Sequence, residues 1–101
     1  MNNEVNIIDD VIAEFQKSGF IEEAERLIGF QKQLLSNDEK EVILGGKNII
    51  GFCHPKAWGD LNMVDRSESF NSIKEWDAML SRLKKYANKT IKKKSVDKSE
   101  N

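Results

Sequence analysis

Few residues of this 101-residue chain are of types that do chemistry: one cysteine and one histidine, adjacent as Cys53-His54, with Asp60 six residues on. Neighbouring side chains of a helix point about 100° apart, so Cys53 and His54 are poorly placed to act as a dyad. Cys53 reads as a small buried hydrophobe. His54 reads as a cap on the carbonyls at a helix end, or as the partner of Asp60 in a loop latch. The segment has no serine or second base to complete a triad. One cysteine with one histidine does not fill a four-ligand zinc site. The carboxylate pairs Asp9-Asp10 and Glu22-Glu23 suit the first turns of helices, where they oppose the positive dipole end, and need no acid–base role. Gly45-Gly46 lacks the lysine and hydroxyl residue of a phosphate-binding loop. The sequence therefore predicts no enzyme, no metal and no cofactor.

Charge is the stronger signal. Residues 1–41 hold ten acids and four bases, a net −6, while residues 42–101 hold seven acids and twelve bases, a net +5, within an overall −1. An acidic first half favours a basic partner; a basic last part favours nucleic acid or an acidic protein. Hydrophobic residues at 39% and charged residues at 33% describe one compact, charge-rich domain rather than a disordered chain. The single cysteine implies a reducing compartment. The first ten residues carry Glu4, Asp9 and Asp10 and no base, unlike a presequence, and no apolar run approaches the roughly 18 residues of a membrane span. A cytoplasmic protein without membrane association is expected.

The elements that must position these residues read as helices. Val5, Ile8, Ile12 and Phe15 predict an amphipathic helix over residues 4–17, ended by Gly19. Ala24, Leu27, Ile28, Leu34 and Leu35 predict a second from Ile21 to about Leu35, joined to the first by a short loop as an antiparallel hairpin. Ser36 and Glu39 form a capping box for a third helix starting near Asn37, with Val42, Gly46, Ile49, Ile50 and Cys53 on its spacing. The alternative is a β-hairpin, with 41–44 and 47–52 as strands around Gly45-Gly46. Residues 54–66 predict one long irregular loop, and Ser72 with Glu75 caps a last helix bearing Phe70, Ile73, Trp76, Leu80, Leu83 and Ala87. The expected fold is all-α: a small four-helix domain over residues 1–90, with a lysine-rich flexible tail over 91–101.

Trp76 belongs to the apolar stripe of the last helix. Trp58, between Lys56 and Asp60, reads either as a partner-facing anchor or as a ring folded back over the core. The segment Cys53-His54-Pro55-Lys56-Ala57-Trp58-Gly59-Asp60-Leu61-Asn62, followed by a tryptophan-bearing helix and preceded by a helical hairpin, resembles small helical immunity proteins that bacteria carry beside polymorphic or contact-dependent toxins. That resemblance implies a non-enzymatic protein that binds a cognate toxin and blocks it.

The sequence itself supplies the contact candidates. Glu14, Glu22, Glu23, Glu25, Asp38 and Glu41 form an acidic set that complements a basic nuclease, with Trp58 and Asp60 beside them. The alternative is a nucleic-acid-associated accessory protein using Lys84, Lys85, Lys89, Lys92, Lys93 and Lys94 on phosphates, with Tyr86 stacking on a base. A homo-oligomer pairing through Phe20 and Phe30 is a third reading.

Overall fold

The computed structural model describes residues 3–54, 56–66 and 70–99, with side chains from residue 7 to residue 94. Among them the regular structure is helical: α1 Asn3–Lys17, α2 Ile21–Leu34, α3 Glu39–Phe52, a 3-10 turn Trp58–Asp60, α4 Met63–Arg66 and α5 Ile73–Ser99. The protein is a small all-α domain.

Local chemistry explains how α1 ends and reverses. Gly19 takes φ +85°, a left-handed conformation that a side chain resists. The Gly19 amide donates to the Gln16 carbonyl at 3.3 Å and the Phe20 amide to the Phe15 carbonyl at 2.8 Å, closing the exposed end. The Phe15 and Phe20 rings meet edge-on at 6.5 Å, which adds the apolar contact usual at such endings. The chain then re-enters α2 directly, giving the expected antiparallel hairpin.

The start of α3 lies two residues later than Asn37. Asp38 is the cap, its Oδ1 accepting the Lys40 amide at 2.9 Å, while the Ser36 hydroxyl accepts the Asp38 amide at 3.0 Å. Ser36 shapes the turn and the shorter carboxylate caps the helix. At α5 the Glu75 carboxylate accepts the Asn71 amide at 3.0 Å, one residue before its expected partner Ser72. The start considered at Ser69 lies outside the described residues.

No hairpin forms at Gly45-Gly46; both glycines are buried within continuous helix. Each lies where another helix comes close. A Cβ on Gly45 would sit 2.6 Å from Gln33 Cβ and 3.0 Å from the Phe30 carbonyl oxygen of α2; one on Gly46 would sit 2.6 Å from Ile91 Cγ1 of α5. Glycine costs about 1 kcal/mol relative to alanine inside a helix, and packing on two sides offsets that cost.

α1 and α3 each pack against both α2 and α5, so α2 and α5 stand at diagonal corners. The core between them joins Ile8, Val11 and Phe15 of α1, Leu27 of α2, Ile49 of α3 and Trp76 and Leu83 of α5. The connection over 54–66 is more ordered than an irregular loop, because its 3-10 turn drives Trp58 into that core and Met63 of α4 is buried beside it. α5 also differs from expectation: it stays helical through Ser99, across most of the segment read as a tail. Half-buried Ile91 ties that segment to Gly46. Lysine is a good helix former, and nothing between 73 and 99 breaks the helix. No described helix is long and apolar enough to cross a membrane.

Candidate partner-binding surface

On α2, residues 22, 25, 26, 29 and 33 recur at spacings of three and four and therefore share one side of the helix. Glu22, Glu25, Arg26, Gly29, Phe30 and Gln33 of α2 form, with Asn48 of α3, a shallow solvent-open groove. The Gln33 amide reaches Glu41 of α3 at 3.4 Å, which places a third carboxylate at the groove's edge. Glu22 and Glu25 are exposed and Glu41 half-buried. The sequence reading missed Arg26, Gly29, Gln33 and Asn48 and considered Phe30 only for self-association; the four-residue step from Glu25 to Gly29 to Gln33 was the signal available for two of them.

The other acids of the set go elsewhere. Glu23 turns inward, where its Oε1 accepts Trp58 Nε1 at 2.6 Å and Arg26 Nη1 at 2.9 Å. Asp38 caps α3. Glu14 lies near Lys17 at 3.9 Å and lines a separate hollow with Phe70, Glu75, Met79 and Arg82. The acidic set is thus divided between two sides of the molecule, and Glu22, Glu25 and Glu41 are the part that the fold brings together.

Trp58 is 1% exposed and is a core residue rather than a surface anchor. Its ring lies 5.1 Å from Phe15 and 5.1 Å from Phe52, and its carbonyl accepts Trp76 Nε1 at 2.9 Å. Arg26 completes this cluster, its guanidinium lying 5.1 Å over Phe52. Asp60 stays exposed. His54 is held by its own turn: Nδ1 accepts the Lys56 amide at 3.0 Å, and its carbonyl accepts the Ala57 and Gly59 amides. The latch therefore closes on backbone, not on Asp60. Phe20 and Phe30, considered for self-association, are partly covered within the chain, Phe20 by Arg66 at 5.2 Å and Phe30 by Phe52 at 5.7 Å.

The chain matches no known protein family, curated protein or solved structure.

Cys53 closes α3 as its C-cap, and burial pushes its thiol up from 9.0 to about 12, the nearby charge of Lys84 acting in the opposite direction. That rise leaves about a thousandfold less thiolate at pH 8 than in the unfolded chain. An aromatic disulfide reagent is expected to label native Cys53 at least 100-fold more slowly than in urea. Because the folded pKa is the higher one, its stabilising contribution is complete below pH 9 and is lost as pH rises towards 12. Urea midpoints at pH 8 to 11 should therefore fall more steeply for the native protein than for Cys53→Ala.

Proposed function

We propose that this protein is a non-enzymatic binding protein that neutralises a cognate bacterial toxin, a basic nuclease by the charge it would have to present. The observation that carries this reading is the groove of α2 and α3, where Glu22, Glu25 and Glu41 lie around a floor that includes Phe30. The resemblance of residues 53–62 to small immunity proteins supports the same conclusion. The carboxylates would occupy positions that substrate phosphates take on the toxin, so its basic cleft closes on protein instead of nucleic acid. Both groove walls are helices packed against the core, so little order has to be gained on binding.

Glu23 and Asp38 are already engaged within the fold; they add to the acidic field without leading contact. Trp58 has no place in this contact surface. The energetic centre falls instead on Phe30, an aromatic ring of the type that dominates interface energies, while Arg26 is held within the fold by Glu23 and Phe52.

Tagged protein is expected to recover a toxin fragment from the native host, unchanged when nuclease is added to the lysate. The captured fragment expressed alone should halt growth, and co-expression of this chain should restore it. Against that fragment, the variant Glu22→Gln/Glu25→Gln/Glu41→Gln should associate about tenfold more slowly at low salt, the two rates converging as salt rises. An unchanged association rate at low salt would sink the acidic surface. Capture that disappears with nuclease would sink the toxin reading itself.

A further inference from the structure

The six lysines of α5 from Lys84 to Lys94 do not share one face. At 3.6 residues per turn, Lys85, Lys89, Lys92 and Lys93 fall within an arc of about 100°, opposite the side that carries Trp76, Leu83 and Ala87 into the core. Lys84 points towards α3, where its charge is felt at Cys53, and Lys94 falls in line with Trp76 and is half-buried. The four lysines on the arc are all exposed. Lys89 has an interaction of its own within the fold; Lys85, Lys92 and Lys93 form no ion pair among the described residues. Residues 78–94 contain no carboxylate, so no acid on that stretch of helix offsets the stripe.

We propose that this face of α5 binds the phosphate backbone of B-form DNA, at a site separate from the α2–α3 groove. Three features of the stripe select the ligand. It runs straight for about 12 Å, from Lys85 to Lys93, along one rigid helix, matching a linear array of charges. Within the arc it carries no large apolar or aromatic side chain, and Tyr86 at its edge is half-buried against the core, whereas a protein interface is anchored by such groups and a single strand is held by stacking on them. The apolar face of α5 is already spent on the core, which leaves none to enter a lipid surface. A helix also fits the major groove of B-form DNA and is shut out of the deep, narrow groove of an RNA duplex. Since α5 stands diagonally across the bundle from α2, DNA on its outer face leaves the acidic groove open.

The test is fluorescence anisotropy of the full chain with a labelled 20-base-pair DNA duplex of mixed sequence at salt from about 50 to 200 mM. Three to four phosphate contacts predict a slope of log affinity against log salt of about −3. The variant Lys85→Gln/Lys92→Gln/Lys93→Gln should lose at least tenfold in affinity at low salt and nearly all of that slope. Its circular dichroism and melting should remain native, because all three side chains are exposed. The Glu22→Gln/Glu25→Gln/Glu41→Gln variant should bind DNA at least as tightly as the native chain, which separates this site from the toxin-binding surface. Failure to bind DNA at 50 mM salt, an unchanged affinity of the lysine variant, or equal affinity for polyglutamate or an RNA duplex would each overturn the proposal.

Discussion

Trp58→Ala is expected to lower the unfolding free energy by about 3 to 5 kcal/mol, the range for truncating a large aromatic in a packed core. The side chain is 1% exposed and touches three elements, Phe15 of α1, Phe52 of α3 and Glu23 of α2. Its removal leaves a void between α1 and α3 and takes a hydrogen bond from a partly buried carboxylate. A domain of this size is stable by only about 5 to 15 kcal/mol, so the variant should sit near the edge of folding at 25 °C. Trp58→Phe separates the two contributions. It keeps most of the ring packing but no indole N–H, leaving Glu23 with Arg26 alone, and should cost about 1 to 3 kcal/mol. Urea unfolding followed by circular dichroism measures both. A loss below about 1 kcal/mol for Trp58→Ala would place the ring outside the core and return it to consideration as a partner anchor.

The fate of Trp58 also shows where sequence reasoning runs out. Its neighbours Lys56 and Asp60 are polar, and Phe52, six residues earlier, meets the ring only because the turn folds back. The deciding groups are Phe15 and Glu23, 43 and 35 positions away. By contrast α1, α2 and the first half of α5 were legible, since their apolar residues repeat at helical spacing and Gly19 marks the turn between the first two. The end of α5 was misread because lysine-rich composition suggests a solvated tail. Ile91, the one apolar residue there whose side chain is described, finds its partner at Gly46, 45 positions earlier.

The candidate surface was half legible for a related reason. Spacing places Glu22 and Glu25 on one side of α2, and that much is local. Whether Glu14 on α1 or Glu41 on α3 joins them depends on how each helix is rolled against its neighbour. Periodicity leaves that angle open when the stripe is as wide as α1's, where Ile7, Ile8, Val11, Ile12 and Phe15 are all buried. The roll places Glu41 beside Gln33 and carries Glu14 to the side of α5.

The glycines of α3 offer the sharpest test of that packing. Gly45→Ala should destabilise by about 1 to 3 kcal/mol, because the new methyl would lie 2.6 Å from Gln33 Cβ and 3.0 Å from a backbone carbonyl, neither of which yields without moving α2. Helix propensity acts the other way, by about 1 kcal/mol, so a net loss means that the clash prevails. Gly46→Ala should cost less, since it meets Ile91, whose terminal carbons can shift. Gly51→Ala is the control: with nothing within 4 Å of its added Cβ, it should stabilise by about 0.5 to 1 kcal/mol, or raise the melting temperature by roughly 2 to 8 °C. Opposite signs at positions 45 and 51 of one helix cannot come from propensity and require α2 to lie directly against Gly45. That contact also sets the groove, because Gln33 touches Gly45 with its Cβ and Glu41 with its amide. A stabilising Gly45→Ala would therefore remove the geometry on which the acidic surface is drawn.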